Sequence, residues 1–279
     1  MRFSSSTILT VSIGLLLSGC VTQTVTTTGV PTLKTLNQKV PNAEILDLAV
    51  VIFDPGISAM EEEPQVFPEI RKAEATFMAR ELAQVLDNQG AWGATRVVPS
   101  GNYICDLTLT GRIVHSDGES LALAIKVTDA TNRIWLDREF SGNTSRYAYE
   151  TIRRSSTDPF LGIYREIANE LLKLFLTVSP SEREKIRQVS QLRFAQIFAP
   201  DAFNEYLQTD ENNHISLLRL PAADDPMVVR IGNIRKRDDI FVDTLQGHYE
   251  NFSGQMLSPY NEWRKLGYDE TVSLRQLKK

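Results

Sequence analysis

Apolar and polar residues alternate from Tyr103 to Thr110. Tyr103, Cys105, Leu107 and Leu109 share one side, and Asp106, Thr108 and Thr110 the other. A period of two is that of a strand with one buried face. Ser116-Asp117-Gly118 supplies turn chemistry, because Gly tolerates positive φ and Asp bonds its own backbone. Leu121, Leu123, Ile125 and Val127 then resume the alternation, and Asp129-Ala130-Thr131-Asn132 forms a second turn. Ile134, Leu136 and Phe140 mark a third strand, with Trp135 on its opposite side. Residues 103–142 are therefore expected to form an antiparallel meander. A slip of one residue would turn every apolar side chain outward, so this pattern also sets the register.

The flanks predict what covers the meander. Residues 45–53, ILDLAVVIF, are almost continuously apolar, as in a strand buried on both faces. A helix is predicted over 68–88, with Pro68 at its start, Phe77, Leu82, Val85 and Leu86 on one stripe, and Gly90 at its end. Thr95 to Pro99 is a short strand. A second helix starts near Ser156 or Asp158 and carries Ile163, Ile167, Leu171, Leu174 and Phe175 at helical spacing. The expected class is α/β (α+β): a mixed, largely antiparallel sheet with a β-meander, covered by helices and followed by a mainly helical C-terminal region.

In that region Ser179-Pro180-Ser181-Glu182 fits a capping box for a helix reaching Phe198. A short helix follows Asp201, and residues 215–220 suit a strand. Arg235-Lys236-Arg237 is read as the opening of a last helix, which Pro259 is expected to break or restart. Phe241, Leu245, Tyr249, Phe252 and Met256 lie three or four residues apart, and Trp263 continues the pattern. Such a stripe must be buried, against its own domain or in a partner. Own-domain packing is the simpler account. Phe241, Leu245, Tyr249, Phe252 and Trp263 nonetheless make a candidate interaction surface. The basic run could meet phosphates or lipid headgroups, but Asp238-Asp239 follows at once and argues for a solvated helix start.

The N-terminus carries an address. Met1-Arg2 precedes an apolar run over residues 8–17, too short to span a bilayer as a helix. It ends in Leu17-Ser18-Gly19-Cys20, which resembles the bacterial lipobox. That resemblance implies removal of residues 1–19 and lipidation of Cys20. Val21, in place of Asp, implies the outer membrane by the sorting rule of enteric bacteria. Residues 20–43 are Thr-rich, with Pro31 and Pro41, and read as a linker of about 25–30 Å reach. The alternative is an edge strand recruited in an oligomer. The expected division is a signal peptide at 1–19, a lipidated linker at 20–43, a sheet domain at 44–178 and a helical region at 179–279. The body would face the periplasm.

Further residues carry a family resemblance. Asp106, Leu109, Thr110, Gly111 and Ile113, then Val127, Asp129, Ala130, Thr131, Ile134 and Trp135, follow a strand-helix-strand start and precede an amphipathic helix. Over residues 45–178 this resembles periplasmic lipoprotein domains such as the N-terminal domain of TolB, the curli secretion lipoprotein CsgG, and lipoproteins that activate peptidoglycan polymerases. The shared residues belong to turns and strands, so the resemblance implies a fold and transfers no catalytic residue. A pore like that of CsgG needs long amphipathic hairpins, and residues 143–157 are too polar and too short for them.

Composition narrows the function classes. With 42% hydrophobic and 23% charged residues the chain is of ordinary globular type. A formal net charge of −5 argues against a general nucleic-acid binder, which needs a basic face. Cys105 stands alone once Cys20 is acylated, so no internal disulfide is expected, and it falls on the apolar side of its strand. His115, His214 and His248 form no HxxH or HExxH pattern, and neither a G-x-S-x-G elbow nor a phosphate-binding Gly loop occurs. Glu61-Glu62-Glu63 has no further ligand nearby to complete a cation site. No catalytic set, cofactor or metal is expected.

The expected function is that of a non-enzymatic, outer-membrane-anchored scaffold or accessory factor in an envelope assembly, secretion or cell-wall machine. The membrane would be held through Cys20, with an envelope protein as partner and a homo-oligomer to be considered. An oligomeric CsgG-like export component is the alternative, and a cryptic hydrolase a weaker one. Cys20→Ala is expected to abolish incorporation of labelled palmitate and to move the protein out of the outer-membrane fraction. Unchanged fractionation, with no lipid on the parent protein, would refute the anchor.

Overall fold

The computed structural model describes residues 24–27, 29–57, 67–149, 157–222 and 224–277. Cys20 and Glu61 to Glu63 lie outside them. Six strands form one sheet: β1 (Thr24–Thr27), β2 (Leu48–Val51), β3 (Thr95–Val98), β4 (Leu107–Ser116), β5 (Ser120–Asp129) and β6 (Ile134–Asn143). Their spatial order is β1-β6-β5-β4-β2-β3. The expected meander is β4-β5-β6, antiparallel throughout, with Leu109 opposite Val127 and Leu123 opposite Phe140. The outer strands are parallel: β2 pairs with both β3 and β4, and β1 with β6. The class is thus a mixed α/β fold.

Helix α1 (Pro68–Asp87) links β2 to β3, and α2 (Leu161–Thr177) follows β6. Phe77, Leu82 and Leu86 of α1, Ile167 and Leu171 of α2, and Leu109, Leu123 and Phe140 of the sheet are buried in one core. On the opposite face of the meander Thr110, Arg112, Lys126 and Asp137 meet solvent. One wet face is what an alternating antiparallel sheet permits. β2 differs, because Leu48, Ala49 and Val50 are all buried.

The second meander turn gives the Asp-Ala-Thr segment its physical meaning. Asp129 Oδ1 accepts from the Thr131 N–H at 2.8 Å and the Thr131 hydroxyl at 2.5 Å. Asp129 Oδ2 accepts from Trp135 Nε1 at 2.8 Å. Asn132 takes φ +65°, a left-handed conformation that Asn tolerates. One carboxylate therefore ties the turn and the start of β6 together.

The C-terminal part comprises α3 (Pro180–Phe198), α4 (Pro200–Phe203), the small hairpin β7 (Leu207–Thr209) and β8 (Ile215–Leu217), and α5 (Pro226–Leu277). α3 starts at the expected capping box, with Ser179 accepting from the Glu182 N–H and Glu182 reaching back to the Ser179 N–H.

Three readings need correction. β4 begins at Leu107, so Tyr103 and Cys105 belong to the preceding loop. Cys105 is buried in a small cluster with Ala49 of β2, Val98 of β3 and Val242 of α5, and the half-buried Tyr103 packs against it. The stretch expected as a linker is laid along the body. Thr24–Thr27 adds a strand to β6, Val40 is buried, and Lys34 and Thr32 bond to Asn169 of α2. The last helix begins at Pro226, nine residues before Arg235, and runs 52 residues through Pro259. A proline lacks the N–H that would bond the carbonyl four residues back. Here both sides are tethered, by Ser253 to Glu81 at 2.7 Å and by Tyr260 to Glu74 at 2.6 Å, while Pro259 itself is exposed. α5 packs on α1 and β3 and shares their core.

Leu123 is fully buried at the centre of β5. Leu123→Asp should lower stability by at least about 3 kcal/mol, a large part of the roughly 5–15 kcal/mol of a typical domain. Thermal melting checks this, and an unchanged midpoint would contradict the strand phase.

Candidate interaction surface

The candidate surface lies on α5, so its placement begins with what holds that helix down. α5 would be about 78 Å long at 1.5 Å per residue, far longer than the sheet is wide. It first follows β3, the edge strand. The Gln246 side chain accepts from the Val97 N–H at 2.8 Å and donates to the Val97 carbonyl at 2.9 Å. One side-chain amide thereby stands in for a neighbouring strand and blunts an edge that would otherwise invite pairing. Arg96 of β3 reaches Asp243 at 2.6 Å, and Tyr103 donates to Asp239 at 2.7 Å.

Further along, α5 crosses α1 and the tip of the first hairpin. Arg264 is fully buried and donates to Asp158 Oδ2 at 3.0 Å. Asp158 Oδ1 accepts from the Phe160 N–H at 2.6 Å, beside the start of α2. The Arg264 guanidinium lies 3.8 Å from the Tyr260 ring centroid and 4.9 Å from that of Phe160. Tyr260 donates to Glu74, which also accepts from Ser116 at 3.2 Å and pairs with Arg71 at 3.2 Å. Burial pushes the Glu81 carboxyl above the usual carboxylate range, and the Ser253 hydroxyl that donates to it opposes the rise. Gly118 at the hairpin tip abuts the α5 backbone at Arg264 and Tyr268, where a Cβ would have no room. The last turn is tied by Arg275 to Glu119 at 2.6 Å.

This anchoring divides the residues singled out from sequence. Phe241 is 64% exposed and Phe252 36%. Leu245 is half-buried. Tyr249 and Trp263 pack against the core, with Trp263 stacked on Tyr260 at 6.1 Å. Tyr249 and Trp263 are thus half-buried like Leu245, whereas Phe241 and Phe252 are exposed. The structure adds Leu266, 69% exposed, and Leu277, 83% exposed. The steps from Phe241 to Phe252, Leu266 and Leu277 are close to whole numbers of helical turns. The four residues thus lie on one line of α5, about 54 Å long, roughly a third of a turn from the buried line of Val242, Ser253, Tyr260 and Arg264. Sequence spacing of three and four could not separate two lines so close together.

Other groups considered from sequence are placed as follows. His115 and Asp117 pair at 2.9 Å at the hairpin tip. Partial burial would raise the Asp117 carboxyl, but bonds from His115 and from the Ser120 and Glu119 N–H groups bring it down to about 2. His214 and His248 lie on other elements, in the β7–β8 hairpin and on α5. Cys105 is buried, and burial pushes its thiol far up. Among the described residues no group of three or more His, Cys, Asp or Glu side chains could hold a metal ion. Among them no helix is long and apolar enough to cross a membrane.

No protein-family model matches this chain, and no curated protein matches it. Two solved structures are similar to parts of it. One is a Xanthomonas campestris protein described as DUF330, with 14% identity, a TM-score of 0.29, and coverage of 58% of this chain and 98% of that one. The other is a hypothetical protein from Chlamydia trachomatis, with 11% identity, a TM-score of 0.28, and coverage of 47% and 99%.

Removing one member of a buried ion pair strands the other charge. Arg264→Leu should therefore cost about 3–5 kcal/mol. Arg264→Leu combined with Asp158→Leu should cost less than Arg264→Leu alone. Chemical denaturation of the two single variants and the double variant reads the coupling, and strict additivity would show that the pair does not anchor α5.

Proposed function

We propose that this protein is an outer-membrane-anchored periplasmic lipoprotein that acts without catalysis, as a scaffold or accessory factor in an envelope assembly, secretion or cell-wall machine. The observation that carries this reading is the exposed apolar line of Phe241, Phe252, Leu266 and Leu277 on a helix whose other side is firmly anchored. Aromatic and aliphatic anchors on a rigid element are the groups that dominate protein–protein binding energy. The occupant we assign is an envelope protein presenting a complementary apolar helix or groove.

The start of the sheet supports a body held near the membrane. With lipid on Cys20, β1 begins only four residues later, at Thr24. Four residues span at most about 14 Å, well short of the reach of a free linker. The β1–β6 edge would then face the bilayer, and α5, which lies beyond the other edge along β3, would be directed toward the periplasm.

The test uses the full-length lipidated protein in intact cells, with a photo-crosslinking residue at Phe252. A discrete heterologous adduct is expected, and Phe241→Ser with Leu266→Ser should abolish it while the melting temperature changes little, as for exposed sites. Absence of an adduct would count against the scaffold. A detergent-extracted particle many times the 31.4 kDa of the chain would favour the oligomeric export reading instead.

A further inference from the structure

A cavity of about 300 Å³ lies between α3, the β7–β8 hairpin and the loop before β4. That volume is at the small end of the roughly 300–1,000 Å³ typical of small-molecule sites. Arg193, Gln196 and Ile197 are three and four residues apart, so they share one face of α3. Leu207 and Thr209 share one side of β7, and Ile215 of β8 pairs opposite Thr209. Ile104 adds a wall on the side of the loop. Among the described lining residues Arg193 is the only charged one.

One side chain holds both the hairpin and the cation. Asn132, in the second meander turn, donates to the Asn213 carbonyl at 2.8 Å and accepts from Arg193 Nη1 at 3.2 Å. Nη1 also donates to the Ala130 carbonyl at 2.8 Å, and the Ile215 N–H donates to the Thr131 carbonyl at 3.0 Å. Arg193 is therefore fixed through Nη1. Its Nε and Nη2 bond to no group among the described residues, and neither is closed off from solvent. Burial lowers the Arg96 guanidinium, but Asp243, Tyr103 and Asp239 more than reverse the fall. Burial lowers Arg193 as well, and only Asp129 opposes it, so Arg193 stays below its ordinary value. Asp129 is itself engaged by Thr131, Trp135 and Arg133. Arg193 is thus a half-buried guanidinium with no ion-pair partner among the described residues. The planar edge formed by Nε and Nη2 is the fork that takes both oxygens of one carboxylate.

We infer that this cavity binds a carboxylate with a short branched aliphatic substituent, its two oxygens on Nε and Nη2 of Arg193 and its apolar part against Ile197, Leu207 and Ile215. One positive charge matches a monoanion, and no second cation among the described lining residues balances the nearly double charge of a phosphate monoester. Two sources share this chemistry, a free small acid and the C-terminal residue of a peptide. The inference goes beyond the scaffold reading and does not rest on it, since the lining residues belong to α3, the hairpin and the loop before β4 rather than to α5.

The test titrates the purified full-length protein, in nonionic detergent, with isocaproate, N-acetyl-alanyl-leucine and the amide of each, followed by ligand-observed NMR. Saturable single-site binding is expected for at least one of the two acids, with its amide at least about tenfold weaker, as the loss of a charge-assisted hydrogen bond implies. Tighter binding of isocaproate would assign a free acid, and tighter binding of the dipeptide a peptide C-terminus. Arg193→Gln should weaken the acid about tenfold and leave the amide unchanged. Thr209→Trp, at an exposed strand position, should fill the cavity and abolish binding without lowering the melting temperature, because an aromatic residue suits a strand. Equal binding of acid and amide, undiminished binding in a folded Thr209→Trp variant, or no saturable binding of either acid would overturn the inference.

Discussion

The architecture depends on one buried ion pair, Arg264 with Asp158. Taking two charges out of water is costly, and such a pair persists only where the geometry is good and other groups share the charge. Here Asp158 also takes the Phe160 N–H, and Arg264 lies against the faces of Tyr260 and Phe160. The pair links α5, near its far end, to the beginning of α2. Glu74, bonded by Tyr260, Ser116 and Arg71, adds α1 and the hairpin tip to the same network. Three elements distant in sequence are thus held at one point, and α5 must lie across all of them.

That constraint explains features that are odd in isolation. An internal proline is carried through a 52-residue helix because both flanks are tethered. The Gly118 turn has no side chain because the backbone of α5 passes directly over it. The edge strand β3 is safe beside solvent because Gln246 occupies its free N–H and carbonyl. The same anchoring exposes one apolar line, because the helix is too long to be covered along its whole length.

Much of the fold was legible in local pattern. The meander, both covering helices, the doubly buried β2 and the capping box at Ser179 all follow from period, turn residues or caps, which act within a few residues of one another. The candidate surface was legible only in part. Tyr249 and Trp263 share their spacing with Phe241 and Phe252, and only the direction from which α1 approaches α5 separates them. Arg264 gave no signal, because a cation reads as solvent-facing until its partner, 106 residues away, is in place. The cavity beside Arg193 likewise draws on residues from Ile104 to Ile215, and no local window contains it.

By itself the sequence determined the elements and the register of the meander, because each rests on interactions between near neighbours. Tertiary structure alone decided that the Thr-rich segment joins the sheet, that α5 continues through Pro259, and which of its apolar residues face water. Those outcomes depend on contacts between elements a hundred or more residues apart. The energies of such contacts, a buried charge pair or a captured strand edge, are large enough to override local preference.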